Sequence, residues 1–361
     1  MRIRSEKSLA NNLLENQFPA SRHNHCSNDG IQRTESLLQL MRIERILCPT
    51  DLTADSEAAL RYAATLARAY DAQLILMYCQ ADSASPQSGL KDAQEILDAS
   101  LRKHASDAEI QRRHWQAKLV KCDDPGDCIT REASRFGADL VIMRSRRRPH
   151  RAALLGSIAE SVSRTAPCPV MVVHSDERDW IDGDGREIGL KRVLVAFDFS
   201  DHSEQALKLG LMIAQEYQAE LHLMHVLPPF TLNEPEISWY PLGSEGVYHK
   251  AARKLQKAVP DEAHLWCKIK NVVSEGQPYR EIIHYAEENE IDLVCIGAQG
   301  AGFGILALFG SNVDRVLRQA PCPVLVARPL RHIRKMPELN ERKVVAEPNG
   351  SKPAASTAGA F

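Results

Sequence analysis

The stretch GAQGAGFGILALFGS, at residues 297–311, contains five glycines. Glycine has no Cβ, so a backbone rich in it can wrap closely around a bound group. Successive backbone N–H groups in such a loop can hold an anion, and the start of a following helix adds a partial positive charge. The stretch is therefore a candidate phosphate site, and a flexible turn is the alternative.

The glycines do not match the common phosphate-binding patterns. No Gly-Lys-Ser/Thr is present, which excludes a P-loop, and the central glycines give GxGxG in place of the dinucleotide fingerprint GxGxxG. Their spacing is instead Gly297-x2-Gly300-x9-Gly310-Ser311. What this spacing can bind depends on the elements that hold it.

The loop lies between a strand and a helix. The apolar run DLVCIG precedes it, and GSNVDRVLRQA, which has helical periodicity, follows it. In an open parallel sheet, ligands bind in the crevice beyond the carboxyl ends of the strands, next to the N-terminus of a following helix. The position of the loop therefore favours an anionic ligand such as a phosphate.

The chain contains the same unit twice. RILCPTDLTADSEAALRYAATLARAYDAQLILMYC, from Arg45, aligns without gaps with RVLVAFDFSDHSEQALKLGLMIAQEYQAELHLMHV, from Arg192. Later, GADLVIMRS matches EIDLVCIGA, and LLGSIAESVSRTAPCPVMVV matches LFGSNVDRVLRQAPCPVLVA. We refer to residues 45–173 as copy one and to residues 192–327 as copy two. The repeat predicts two similar domains.

Within each copy, short apolar runs alternate with stretches of helical periodicity. This alternation predicts βαβ units around a parallel sheet, an α/β fold with five strands per copy. In copy two we expect the first helix from about Ser203, with Ser203 as its N-cap. The predicted strands of copy two lie near residues 192–197, 220–226, 266–273, 292–297 and 323–327.

Composition predicts the organisation of the rest of the chain. Residues 1–41 are polar, lack the apolar stretch of a secretory signal and are predicted to be an extension, with Met41 as an alternative start. The two domains are predicted at 42–174 and 191–329, joined by a polar Gly/Asp-rich linker at 175–190. Residues 330–361 are poor in apolar side chains and are predicted to form a disordered tail.

The overall composition argues against several classes of partner. There are 45 Lys plus Arg and 47 Asp plus Glu, a net charge of -2, which gives no general attraction to nucleic acid or to an anionic membrane. The apolar runs are shorter than the roughly 20 residues of a membrane-spanning helix. The nine cysteines include no CxxC pair, and we interpret them as reduced core thiols of a cytoplasmic protein.

These motifs together resemble the universal stress protein family. The glycine spacing matches the nucleotide-binding signature of that family. The segment VLVAFDFSDHSEQAL resembles its first strand with the terminal Asp, and LHLMHV resembles its second strand. The segment VSEGQP resembles its third strand and the following turn, and APCPVLVA resembles its last strand. The resemblance covers both copies. It implies a tandem member with two doubly wound, Rossmann-like domains of the adenine nucleotide alpha hydrolase-like type.

The resemblance also implies a site for ATP in copy two, with Mg²⁺ as a further candidate ligand. In ATP-binding members, the Asp that ends the first strand contacts the adenosine, and the residue that closes the second strand lines the adenine pocket. These positions correspond to Asp198 and Val226. The phosphate-binding positions of the glycine loop correspond to Gly297, Gly300, Gly310 and Ser311.

Each of these residues also has a purely structural interpretation. Asp198 can cap a turn, because Asp is common in turns. The glycines can form a mobile surface loop. Ser311 can be the N-cap of the following helix, a role that is compatible with ligand binding. The apolar residues at 303–309 can fold over a ligand or contact another chain.

Copy one departs from the family pattern. It keeps Asp51 and the Gly-Ser pair at 156–157, but the spacing from that pair places Met143 and Arg146 where the first two glycines belong. A Cβ at these positions would intrude on the space that a triphosphate needs. Asp123 is assigned to the position of the glycine in VSEGQP. We therefore expect copy one not to bind ATP in the manner of the family.

The same region of copy one carries the basic run RSRRRPHR at 144–151. Its arginines can hold an anion through side chains, although a charge run is more often a solvated loop. Nucleic acid is disfavoured as a partner, because no aromatic residues interleave with the arginines.

No catalytic motif is evident: HExxH, GxSxG and metal-ligand histidine spacing are all absent. The main hypothesis is therefore an ATP-binding stress-response protein without strong catalysis. The alternatives are a nucleotide-independent interaction module and a slow ATPase. PVMVV and PVLVA are apolar last strands that can pair within the chain as a pseudo-dimer, and a homodimer is a further option.

Overall fold

The computed structural model describes seven stretches of the chain, all within one compact unit that begins at Ile43. These stretches are residues 43–80, 87–145, 157–174, 177–181, 187–229, 244–299 and 311–328. The predicted N-terminal extension and C-terminal tail lie outside the described residues, and the predicted domain limits remain predictions.

A ten-stranded sheet forms the centre of this unit, with strand order β3-β2-β1-β4-β5-β10-β9-β6-β7-β8. The pairing is parallel throughout, except that β5 and β10 are antiparallel. The strands are β1 Arg45–Thr50, β2 Gln73–Gln80, β3 Gln116–Lys121, β4 Leu140–Arg144, β5 Val170–Val173, β6 Arg192–Ala196, β7 Glu220–Leu227, β8 Ile269–Glu275, β9 Leu293–Gly297 and β10 Val324–Ala327.

The helices lie between the strands, as expected for βαβ units. The helices of copy one are α1 Glu57–Tyr70, α2 Gln87–His104, α3 Asp107–Arg112, α4 Pro125–Phe136 and α5 Ser157–Thr165. Those of copy two are α6 Asp201–Tyr217, α7 Ser244–Ala258, α8 Pro278–Glu288 and α9 Ser311–Gln319. The α/β fold class and the five strands per copy are confirmed.

Two predicted boundaries in copy two were wrong. The N-cap of α6 is Ser200, whose side chain accepts a hydrogen bond from the Ser203 N–H, and Ser203 lies inside the first turn. A polar side chain in β conformation directly before the helix fits this role better. Strand β8 begins at Ile269, after the 266 that was predicted, because a 3₁₀ turn at Asp261–Leu265 precedes it.

The two copies meet at the centre of the sheet. Val324, Leu325 and Val326 of β10 pair with Val172, Met171 and Val170 of β5. Equivalent tyrosines also meet nearby, where the Tyr217 hydroxyl donates a hydrogen bond to the Tyr70 hydroxyl over 3.1 Å. Burial raises the pKa of both phenols, so both hydroxyls stay protonated and can hydrogen-bond. The copies therefore share one continuous core.

A carboxylate fixes the same junction in each copy. Asp139 Oδ2 accepts the N–H groups of Glu44 and Arg45, which ties the start of β4 to the start of β1. Asp292 Oδ2 accepts the N–H groups of Lys191 and Arg192 in the same way. Each carboxylate thus fixes the register between the two central strands of its own copy.

Among the described residues, no helix has the length and apolar character to cross a membrane.

Candidate functional site

The carboxyl ends of β6 and β9 lie side by side in copy two. Ala196, the last residue of β6, pairs with Ile296 of β9, so Asp198 and Gly297 follow at the same edge of the sheet. Val226 lies near the end of the neighbouring strand β7 and is half-buried against the core. Ser311 is the first residue of α9. The predicted Gly300 and Gly310 lie outside the described residues.

Asp198 holds a tight turn between β6 and α6. Its Oδ1 accepts hydrogen bonds from the Ser200 N–H at 3.1 Å and from the Ser200 hydroxyl at 2.5 Å. The intervening Phe199 has φ 64°, a left-handed conformation that is costly for a large side chain. Asp198 therefore caps this turn, as its structural interpretation predicted.

Copy one builds the same turn from different residues. Asp51 Oδ1 accepts hydrogen bonds from the Thr53 N–H at 3.1 Å and from the Thr53 hydroxyl at 2.5 Å, and Leu52 has φ 60°. A strained backbone at the same place in both copies is held by an aspartate each time. Asp51 therefore matches Asp198 in its local structural role.

Aromatic rings and a lysine lie next to Asp198, and these neighbours were not predicted from the sequence. The Phe199 ring lies edge-on to Phe197, with ring centroids 5.1 Å apart, and 4.6 Å from the ring of His225. The ammonium of Lys254, on α7, lies 5.1 Å from the centre of the Phe199 ring. The FDF pattern at 197–199 is a signal that could have predicted the aromatic pair, whereas Lys254 comes from a distant helix.

Gly297 is required by packing within the protein. A Cβ at this position would lie 2.7 Å from the backbone carbonyl carbon of His202 and 2.9 Å from its Cβ. The end of β9 thus touches the first turn of α6, and a side chain would force them apart. The glycine spacing predicted a phosphate beside Gly297, and the contact with His202 gives this position a further reason to be glycine.

Copy one places Arg144, and not Met143, at the position of Gly297. Arg144 ends β4 and pairs with Val173, as Gly297 ends β9 and pairs with Ala327. The prediction was wrong because it counted back from the Gly-Ser pair at 156–157, and the connection in copy one is one residue shorter. Arg146, assigned to the second glycine position, lies outside the described residues.

The Arg144 side chain turns toward the site of its own copy. Its guanidinium lies 2.6 Å from Asp55 Oδ2 and 4.0 Å from Asp51 Oδ2, and only 11% of the side chain is exposed. Asp55 occupies the place that His202 has in copy two. Copy one therefore has a cation between two carboxylates where copy two has a glycine against a helix.

The position of Gly276 also needs correction. Gly276 N–H donates to the carbonyl of Leu227, and the Cys122 N–H donates to the equivalent carbonyl of Gln80. Strand register therefore equates Cys122 with Gly276, and Asp123 is an additional residue before α4. Gly276 has φ 151°, and a Cβ there would lie 2.6 Å from Glu281 Oε1, so the turn in copy two requires glycine.

A cavity of about 260 Å³ lies at the carboxyl ends of the strands in copy one. Asp51 and Arg144 line its polar side, and Met77, Cys79 and Met143 line its apolar side. Copy one thus keeps a crevice at the expected place, with a lining that differs from the family pattern.

Comparisons with known proteins agree on one family. The model of the universal stress protein family matches residues 42–174 and 189–328. A universal stress protein of Methanocaldococcus jannaschii is 36% identical over 141 residues, which is 38% of this chain and 82% of that protein. One of Mycolicibacterium smegmatis is 27% identical over 313 residues, 79% of this chain and 97% of that protein.

The solved structures give the same fold. The crystal structure of a universal stress protein from Archaeoglobus fulgidus aligns with a TM-score of 0.58 and 21% identity, covering 80% of this chain and 97% of that one. A Pseudomonas aeruginosa protein described as functionally unknown aligns with a TM-score of 0.56 and 22% identity.

Proposed function

The chain belongs to the universal stress protein family over both of its copies, and we propose that copy two binds ATP as a signalling switch in a stress response. Binding would act by favouring one conformation of copy two over others, which requires different affinities for the two states. The proposal includes Mg²⁺ as a companion of the triphosphate and no strong hydrolysis.

The observation that carries this proposal is the exchange of Gly297 for Arg144 between the copies. In copy one, the guanidinium of Arg144 lies within 4.0 Å of the aspartate at the strand end. In copy two, the equivalent residue has no side chain, and Asp198 lies at the same edge of the sheet. A carboxylate there can accept hydrogen bonds from an adenine amino group or a ribose hydroxyl.

The parallel strands and the following helix supply the anion site. The crevice beyond strands β6 and β9 is where open α/β sheets bind ligands. Helix α9 begins at Ser311, and its first N–H groups and its dipole favour a phosphate. Gly300 and Gly310 would also contact the phosphates, as the glycine spacing implies. Val226 would contact the base from the neighbouring strand.

The test compares matched aspartates in the full chain. Asp198→Ala and Asp51→Ala remove equivalent turns from copy two and copy one, and only the turn of copy two belongs to the proposed site. We expect labelled Mg–ATP to bind Asp198→Ala at least about tenfold more weakly than wild type, which corresponds to about 1.4 kcal/mol. Asp51→Ala should bind with wild-type affinity.

Equal losses of ATP affinity in the two variants would contradict the assignment of the nucleotide to copy two. Absence of binding to the folded wild-type chain would leave a nucleotide-independent interaction module. Phosphate release above a no-protein control, sensitive to Asp198→Ala, would instead indicate a slow ATPase.

We also propose that the two copies form an intramolecular pseudo-dimer. The pairing of β5 with β10 supports this, because each last strand already has a partner on both sides. A homodimer would then need a different surface. Light scattering should give the mass of one chain, 40.3 kDa, and twice this mass would favour the homodimer.

A further inference from the structure

Three cysteines of copy one meet in one place. Cys79 lies on β2, Cys122 directly after β3, and Cys128 in the first turns of α4. Their three Sγ atoms all lie within 4.8 Å of one another. Cys122 and Cys128 are buried, and Cys79 is half-buried. The three residues are not arranged as a CxxC motif in the sequence, so the cluster could not be predicted from their spacing.

The cluster adjoins the cavity of copy one. Cys79 lines that cavity together with Ile129 of the helix that carries Cys128. The cavity lining also contains the thioethers of Met77 and Met143. A small molecule in the crevice can therefore reach Cys79, whose thiol lies close to those of Cys122 and Cys128.

Burial raises the pKa of two of these thiols, those of Cys79 and Cys122. Burial, followed by the neighbouring thiols of Cys128 and Cys122, raises the pKa of Cys79 far above its usual range. Burial also raises the pKa of Cys122 to about 11, with a further contribution from Cys128. A ligand that needs three thiolates would bury net charge here, whereas a ligand that reacts with neutral thiols would not.

Copy two has no sulfur at any of these positions. Strand register equates Cys79 with Val226 and Cys122 with Gly276, and helix α8 places Glu281 at the position of Cys128. A Cβ on Gly276 would lie 2.6 Å from Glu281 Oε1, so copy two pairs the equivalent positions without sulfur. The trio is thus a property of copy one, at the crevice where the family fold places its ligand.

We infer that Cys79, Cys122 and Cys128 form a three-thiol site for a trivalent thiophilic element, with arsenous acid as its defining probe. In this step As(OH)₃ condenses with three thiols: three As–S bonds form and three As–O bonds break. Each thiol proton leaves with a hydroxyl group as water, and arsenic remains trivalent. The product is neutral, as a buried apolar site requires.

Charge and ligand number disfavour the other soft metals. Three thiolates around Cu(I) or Zn(II) would leave a net negative charge in a buried site, which is costly without a compensating partner. Structural zinc also takes four ligands, usually Cys or His. Among the described residues, the cluster contains three cysteines and no histidine or carboxylate.

The test uses the full chain, reduced and then freed of reductant without oxygen. Native mass spectrometry with arsenite should show one arsenic per chain with loss of three hydrogens, and X-ray absorption should show arsenic bonded to three sulfurs. Cys79→Ala and Cys128→Ala should each weaken uptake by about tenfold or more, since even second-shell changes cost about 10–100-fold at metal sites. Circular dichroism checks that each variant is folded.

Cys267→Ala is the matched control. Cys267 is a buried thiol of copy two that donates to the carbonyl of Ala219, outside the trio, and its loss should leave uptake unchanged. Three outcomes would overturn the proposal: no arsenic on the folded wild-type chain, arsenic with fewer than three sulfurs, or uptake that persists in folded Cys79→Ala and Cys128→Ala. Retention of Zn(II) or Cu(I) by the trio without arsenite uptake would overturn the choice of ligand.

Discussion

At the scale of single residues, Asp198 and Gly297 are each held by close contacts within the protein, Asp198 with Ser200 and Gly297 with His202. Asp198 and Gly297 lie at the sheet edge where the motif placed them. The sequence could not reveal that Gly297 touches the backbone of His202, because that contact depends on how closely α6 approaches β9. The match of GADLVIMRS with EIDLVCIGA already pairs Arg144 with Gly297, and the exchange was missed because the motif was counted back from the Gly-Ser pair across a connection that is one residue shorter in copy one.

Gly297→Ala tests the close approach of β9 and α6. The new Cβ would lie 2.7 Å from the His202 backbone, and we expect a loss of about 1–3 kcal/mol in the free energy of unfolding from overpacking. Urea denaturation measures the change. Gly189→Ala is the control, because its Cβ would lie 3.6 Å from the nearest backbone oxygen. Equal stabilities for the two variants would contradict the packing role of Gly297.

At the scale of elements, the alternation of apolar runs and helical periodicity predicted the succession of strands and helices along the chain, and the strand order within the sheet came from the structure. The two boundaries that were predicted wrongly depend on local interactions. Ser200 is the N-cap of α6, and a 3₁₀ turn precedes β8, which therefore begins later than predicted. Strand β7 also carries a buried polar group that periodicity alone does not explain. His222 is 3% exposed, and its Nδ1 lies 2.8 Å from the Tyr285 hydroxyl.

His222 should make the stability of copy two depend on pH. Burial lowers its pKa; Glu220 opposes this shift, and Lys270, Arg192 and Lys268 add to it. As pH falls below the unfolded value of about 6.5, the unfolded chain takes up the proton first, so stability falls until the folded pKa is reached.

The matched variant is His222→Ile, since copy one has Ile75 at this register position. Urea denaturation between about pH 5 and 7.5 should show a smaller loss of stability on acidification for the variant than for wild type. Identical pH profiles would show that His222 does not carry this dependence.

At the scale of the whole molecule, the internal repeat predicted two similar folds, and the last strands were named as candidates for pairing. The sequence could not establish that the copies also meet through Tyr70 and Tyr217. These residues are equivalent in the repeat, so they meet only because the two halves of the sheet are related by an approximate twofold rotation.

A double-mutant cycle on these tyrosines tests the coupling of the copies. Tyr70→Phe and Tyr217→Phe should each cost about 0.5–1.5 kcal/mol, because each leaves the other hydroxyl buried without its partner. The double variant should cost less than the sum of the two. Strictly additive losses in urea denaturation would contradict a direct contact between the copies.

The number of nucleotides bound per chain tests the central claim most directly. Equilibrium dialysis of the full wild-type chain against saturating Mg–ATP should give one nucleotide per chain, because the guanidinium of Arg144 lies beside Asp51 in copy one, whereas the equivalent residue of copy two, Gly297, has no side chain. Two nucleotides per chain would contradict the assignment of the site to copy two alone, and none would contradict nucleotide binding altogether.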